Sequence, residues 1–244
     1  TNIDKTTRKF LEENVLLRSS KVTEVLKDPD GTIKLQISLS DGLAIETVLL
    51  TDKEGRKTAC VSCQAGCAMG CAFCQTGRLG LGRNLTAGEI VEEFFFMEKE
   101  AGTLDNIVFM GMGEPLQNLD AIRKAVAILT DKKGRGLSPR RITLSTCGLI
   151  SGIYELAENG PFVRLAISLT TADPALREQL MPVSKGNPLP ELKKAIKFYS
   201  EKTGKRITLE AALLSGQNTG LESAKRMACP DYEKSSKAGK EYTD

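Results

Sequence analysis

The sequence predicts an α/β fold: a (β/α) barrel or part of one, built on parallel strands and preceded by a small β-hairpin extension. Two observations carry that prediction. From Asn106 onward, short apolar runs alternate with longer stretches of helical period, the pattern of successive βαβ units. The residues best suited to chemistry fall just past the ends of the apolar runs, where (β/α) barrels place their active sites. A chain of 244 residues with 41% hydrophobic content can bury the core of one large domain, or of one domain with a small appendage.

The elements follow in order. Thr32–Leu39 and Ala44–Leu50 read as a hairpin around the turn Ser40-Asp41-Gly42. A cysteine-rich loop comes next. Thr86-Ala87-Gly88-Glu89 has the form of a capping box, with Thr86 as N-cap and Glu89 reaching back to it, opening a helix to about Ala101. Asn106–Gly111 reads as a short strand, followed by a helix over Leu119–Leu129. Arg141–Ser145 is the next strand, with a helix near Ile153–Glu158. Val163–Leu169 is another strand, then come two helices near Pro174–Leu180 and Pro190–Lys202, and Arg206–Leu214 closes the series. This divides the chain into an extension over 1–51, a core over 52–222 with its cysteine loop at 60–74, and a polar tail over 223–244. From Ser223 to Asp244 there is no Leu, Ile, Val or Phe; such a composition cannot bury another strand, and the tail is expected to be disordered.

Composition narrows the classes of function. No apolar run is long enough to span a bilayer. The net charge of +3 permits nucleic-acid binding without demanding it. The segment Lys132-Lys133-Gly134-Arg135-Gly136-Leu137-Ser138-Pro139-Arg140-Arg141 holds five cations and no acid; it reads equally as a phosphate-facing patch or as a solvated loop. Seven cysteines is an odd count, and nothing resembles a secretory signal, so free thiols in a reducing cytoplasm are expected.

Cys67, Cys71 and Cys74 form a C-x3-C-x2-C run on one short loop. A [4Fe–4S] cluster ordinarily takes four cysteines. Three leave one iron open, able to chelate the amino and carboxylate groups of S-adenosylmethionine (SAM), and electron transfer from such a cluster can cleave SAM to a 5′-deoxyadenosyl radical. A rival reading pairs Cys60 and Cys63 with Cys71 and Cys74 as a four-thiolate zinc site. Against it, the gap between the pairs is shorter than usual for zinc ribbons, and the chain has no histidine. Further along, Gly111-Met112-Gly113-Glu114-Pro115 follows a strand. Its glycines would let backbone approach a ligand, and Glu114 can accept hydrogen bonds from an ammonium group or stand in a surface ion pair. Ser145-Thr146-Cys147-Gly148 and Ser168-Leu169-Thr170 offer hydroxyls at two more strand ends, for a carboxylate or ribose.

Taken together, Cys60-Val61-Ser62-Cys63-Gln64-Ala65-Gly66-Cys67, Cys71-Ala72-Phe73-Cys74, Arg83-Asn84-Leu85-Thr86, Phe109-Met110-Gly111-Met112-Gly113-Glu114-Pro115, Leu137-Ser138-Pro139-Arg140-Arg141 and Ala166-Ile167-Ser168-Leu169 resemble the RlmN/Cfr family of radical-SAM RNA methyltransferases. The match runs from about Glu46 to Asn218. It implies a radical-SAM partial barrel with Cys67, Cys71 and Cys74 as cluster ligands, and SAM contacts from Gly113, Glu114, Ser145, Ser168, Leu169 and Thr170. Glu46 resembles the family's proton acceptor, and Cys60 the cysteine that forms a transient disulfide with a second, methyl-carrying cysteine. Cys63 and Cys147 stand where other members often have serine and are read as structural.

The implied reaction is methylation of adenine C2 in 23S rRNA and tRNA, through a methyl-cysteine and a 5′-deoxyadenosyl radical. The radical route suits an electron-poor ring carbon that ordinary polar methylation does not reach, and the base must be unstacked to reach the site. The alternatives are adenine-C8 methylation of Cfr type, or a catalytically incomplete RNA- or zinc-binding relative. A monomer served by an electron donor such as flavodoxin is expected. Three departures from the family pattern stand out. Thr170 occupies a position where members usually carry histidine. The chain also matches neither the family's N-terminal helical domain nor its last barrel strand, where a SAM-contacting asparagine and the methyl-carrying cysteine lie, and this predicts truncation at both ends. The surroundings of Cys229 do not match that cysteine.

Overall fold

The computed structural model of the protein describes residues 3–15 and 18–228. Helix α1 (Lys5–Asn14) leads into an antiparallel meander of β1 (Lys21–Lys27), β2 (Ile33–Ser38) and β3 (Ala44–Thr51). The expected hairpin is β2–β3, joined at Asp41-Gly42 by a turn in which Gly42 donates to the Leu39 carbonyl at 3.0 Å. The sequence reading omits β1, because no residue of that strand is fully buried and its polar–apolar alternation is correspondingly weak.

β3 pairs antiparallel with β4 (Lys57–Cys60), so the sheet runs unbroken across residue 51. After β4 come β5 (Gln64–Gly66), the cysteine loop, the short helix α2 (Gln75–Leu79) and β6 (Leu81–Asn84), which pairs with β5. Helix α3 (Ala87–Ala101) follows with its capping box formed: Thr86 Oγ1 accepts the Glu89 N–H at 3.2 Å and Glu89 Oε2 accepts the Thr86 N–H at 2.8 Å. The alternation continues through β7 (Asn106–Phe109), α4 (Leu119–Thr130), β8 (Ile142–Thr146), α5 (Ile150–Asn159), β9 (Arg164–Ser168), α6 (Pro174–Leu180), α7 (Leu189–Thr203), β10 (Ile207–Glu210) and α8 (Leu221–Met227). Among the described residues eight strands form one sheet, ordered β1-β2-β3-β4-β7-β8-β9-β10. Its second half, β4-β7-β8-β9-β10, is parallel throughout, as the alternating pattern predicts, and makes a partial barrel with β10 at its open edge. The polar stretch from Ser223 begins inside α8; residues 229–244, Cys229 among them, lie outside the described residues.

The two faces of the parallel strands differ chemically. Residues paired across a parallel register share a face. One face carries Ala59, Ile107, Phe109, Ile142, Leu144, Leu165 and Ile167, all buried in the core with residues of α3, α4, α5 and α7. The other carries Thr58, Cys60, Asn106, Val108, Thr143, Ser145, Arg164 and Ser168. An interior this polar is not packing for a core. It lines cavities at both ends of the strands.

Candidate active site

At the C-terminal ends of the strands lies a cavity of about 310 Å³, bordered by Cys67, Cys71, Cys74, Met110, Gly111, Gly113, Glu114, Ser145, Cys147, Ser168, Met181 and Glu210, among others. The cysteine loop is anchored to its surroundings by backbone bonds. The Cys67 N–H donates to the Gly80 carbonyl and the Ala72 N–H to the Leu180 carbonyl, both at 2.8 Å. The second tie joins the loop to the end of α6, where Cys71, Cys147, Leu180 and Met181 form a small apolar cluster. Burial raises the Cys67 thiol, and burial together with the nearby Cys74 and Cys67 pushes Cys71 up to about 11.

Glu114 is buried, and burial raises its carboxyl. Its Oε2 accepts the Cys147 N–H at 2.8 Å and its Oε1 accepts the Leu116 N–H at 3.0 Å. It is therefore not in a surface ion pair. Gly111 and Gly113 border the cavity, yet the reason they are glycine lies on their other side. A Cβ on Gly111 would come within 2.8 Å of the Val61 carbonyl, and one on Gly113, at φ +105°, within 2.6 Å of Gln64 Cβ. The loop is pressed onto residues 61–64, and that contact, rather than approach to a ligand, requires both glycines. Ser145 and Ser168 face each other, with Oγ atoms 3.4 Å apart, and the Ser145 hydroxyl donates to Glu210 Oε2 at 3.4 Å.

The donor set suits a cluster better than a lone ion. Three thiols border one cavity, and a cubane offers a separate iron to each. The four cysteines of the zinc reading are divided between locations. Cys63 is buried in the main core with its Sγ 3.6 Å from the Met112 carbonyl, and Cys60 lies on β4, outside the lining of the cysteine cavity.

Comparison with known proteins decides the family. A profile of the radical SAM superfamily matches residues 61–226. A probable dual-specificity RNA methyltransferase RlmN of Treponema pallidum is 52% identical over 227 residues, 93% of this chain and 67% of that protein. The corresponding protein of Treponema denticola is 60% identical over 227 residues, 93% of this chain and 65% of its own length. The chain belongs to the RlmN family of the radical SAM superfamily. A crystal structure of a radical SAM methyltransferase from Sphaerobacter thermophilus shares the fold, with a TM-score of 0.86 and 42% identity over 93% of this chain and 67% of that one. The chain thus spans about two thirds of the length of the RlmN relatives it matches.

Of the residues expected from the resemblance, Cys67, Cys71, Cys74, Gly113, Glu114, Ser145 and Ser168 meet at this cavity. The others do not border it. Glu46 stands half-exposed on β3 in a 3.0 Å ion pair with Lys34. Cys60 lies on the inner face of β4, where burial pushes its thiol up to about 11. Leu169 borders a different, apolar groove of about 650 Å³. Thr170 is buried and sits at φ +62°, a left-handed backbone that a β-branched residue adopts only under strain. Its carbonyl accepts the Asn218 Nδ2–H at 2.9 Å, which helps hold that conformation.

Sequence reasoning missed Glu210, Met110 and Met181, and read Cys147 as structural; all four border the cavity. Glu210 had a signal, since it shares parity with Thr208 at the end of the last strand. The basic run of residues 132–141 is partly neutralised: Arg135 pairs with Glu98 at 2.8 Å and Arg141 with Asp105 at 3.1 Å. Arg140 and Arg141 join Arg56 and Arg164 around a polar cavity of about 540 Å³ at the N-terminal ends of the strands. Among the described residues no helix is long and apolar enough to cross a membrane.

Proposed function

We propose that this chain is the barrel of a radical-SAM methyltransferase that places a methyl group on adenine C2 of 23S rRNA and tRNA, with Cys67, Cys71 and Cys74 holding a [4Fe–4S] cluster. The observation that carries this reading is the convergence of those three cysteines with Glu114, Ser145 and Ser168 on one cavity at the strand ends. The relatives' names, dual-specificity RNA methyltransferases, support the choice of RNA as substrate. When bound there, the cluster and SAM supply a carbon-centred radical and the methyl group. The chain's own side chains do the rest.

Gly113 and Glu114 would present backbone and a carboxylate to SAM, and Ser145 and Ser168 would present hydroxyls, all at the same cavity. Two backbone N–H groups fix the orientation of the Glu114 carboxylate. That rigidity is what a binding group needs if ligand is not to bear the cost of ordering it. Cys60 acts as the cysteine whose thiolate attacks the sulfur of a methyl-carrying cysteine, forming a disulfide as the bond from that sulfur to the methylated base breaks and its electron pair leaves with the product. The raised Cys60 thiol stays protonated near neutral pH and needs a proton acceptor before it can react. Strand register supports assigning that acceptor to Glu46. Val48 pairs with Cys60, and Glu46, two residues along β3, shares the face of Val48. Acting there requires Glu46 to leave Lys34.

The test is EPR of anaerobically reconstituted, reduced protein with and without SAM. A [4Fe–4S] signal that changes on adding SAM supports the reading, whereas absence of iron and labile sulfide overturns it. Mass spectrometry of digested RNA after turnover then distinguishes 2-methyladenosine from 8-methyladenosine.

A further inference from the structure

Arg177, on α6, is the largest fully buried side chain among the described residues, at 1% exposure. Its Nη2 donates to the Cys147 carbonyl at 2.8 Å and to the Ser168 carbonyl at 3.4 Å, so the guanidinium lies directly beneath two residues that border the cysteine cavity. Its Nε and Nη1 have no hydrogen-bond partner, and no carboxylate forms an ion pair with it among the described residues. A guanidinium does not escape this by losing its proton. A buried, unpaired cation is among the costliest things a fold can contain, and a merely structural tie to two carbonyls needs no charge.

Cys147, whose carbonyl accepts from Arg177, packs with Cys71 in the small apolar cluster at the end of α6. Cys71 is one of the expected ligands. Once three thiolates are bound, their charge outweighs that of the cubane core, and reduction adds a further negative charge. That is the counter-charge the protein by itself lacks.

We propose that Arg177 is the charge-compensating residue of the cluster site, a buried cation that stabilises the thiolate-bound, reduced cluster from beneath Cys147. This rests on the reading that Cys67, Cys71 and Cys74 hold a cluster. It acts through charge, so it is a tuning residue and not a catalytic one.

The test compares wild type with Arg177→Met and Arg177→Lys, each measured apo and after anaerobic reconstitution. Iron and sulfide per chain, thermal midpoints, and dithionite titrations followed by EPR are the readouts; none depends on turnover. In the apo form Arg177→Met melts at or above wild type, because an unpaired buried charge has been removed. In the loaded form its equilibrium constant for one-electron reduction falls tenfold or more, about 59 mV, or it fails to load at all. Arg177→Lys loads and stays within about threefold of wild type. Loaded Arg177→Met with wild-type potential overturns the proposal, and so does an apo form that is destabilised as much as the loaded one. If wild type itself takes up no iron and sulfide, the cluster reading falls and this inference with it.

Discussion

One oxygen of Glu114 accepts the backbone N–H of Cys147 at 2.8 Å, so the loop after β7 is locked to the end of β8 through a single buried carboxylate. Its other oxygen closes the turn at Leu116. The residue proposed to meet SAM therefore also holds together the wall of the cavity. Removing the side chain therefore has two effects that must be separated.

Glu114→Ala leaves two buried N–H groups without acceptors, each costing about 1–3 kcal/mol. The thermal midpoint falls, and SAM affinity, measured by calorimetry on loaded protein, falls at least about tenfold. Iron content stays at the wild-type level because the cysteine loop is anchored independently, through Gly80 and Leu180. Unchanged SAM affinity would remove Glu114 from the site.

Cys71→Ala abolishes cluster loading. Cys71 sits between the other two thiols in sequence and faces Cys147 and Met181 in the small apolar cluster. Iron and labile sulfide assays on the reconstituted variant read this directly, and full loading would break the ligand assignment.

Gly113→Ala is strongly destabilising. The added methyl meets Gln64 Cβ at 2.6 Å and Cys63 Sγ at 2.9 Å, at a φ of +105°. Strain of this kind costs on the order of 1–3 kcal/mol before any overlap is relieved. Denaturant unfolding measures it; a loss under about 0.5 kcal/mol, the range of unremarkable surface changes, would show that the loop is not pressed against residues 61–64.

Glu93 gives a dependence on pH. It is buried on α3, accepts the Ser62 N–H at 2.8 Å and the Thr47 hydroxyl, and keeps Oε1 without a partner. Burial pushes its carboxyl up to about 8, against an ordinary value of 4.5. The folded state therefore holds a proton that the unfolded state releases, and the sign follows from linkage. The contribution of this group is fully present below about pH 4.5 and is lost as pH rises through about 8. Glu93→Gln, which cannot ionise, flattens the fall in thermal midpoint over that window. A variant whose midpoint tracks wild type across pH 5–9 would show that Glu93 is already ionised in the fold.

Much of this was legible in the sequence. The strand–helix alternation and the Thr86–Glu89 capping box depend on neighbours a few residues apart, and most formed within a residue or two of where the sequence predicts them, although the helix expected from Ile153 begins at Ile150 and the strand expected to reach Leu214 ends at Glu210. The short strands β4, β5 and β6 were not legible. They are four residues or fewer, and pairing with distant partners makes them strands, not their own periodicity.

The cysteine spacing by itself determined the chemistry on offer, because ligand type and separation are local properties of the chain. Tertiary structure decided which residues share the cavity. It brought Glu210 and Cys147 in beside the cysteines, left Leu169 and Thr170 outside, and set Glu46 in an ion pair with Lys34. It also placed Arg177, on a helix the sequence predicts without marking that residue out, beneath the site with no counter-charge. Burial and the partners a charge meets are set by long-range packing, and neither is written in the residues on either side.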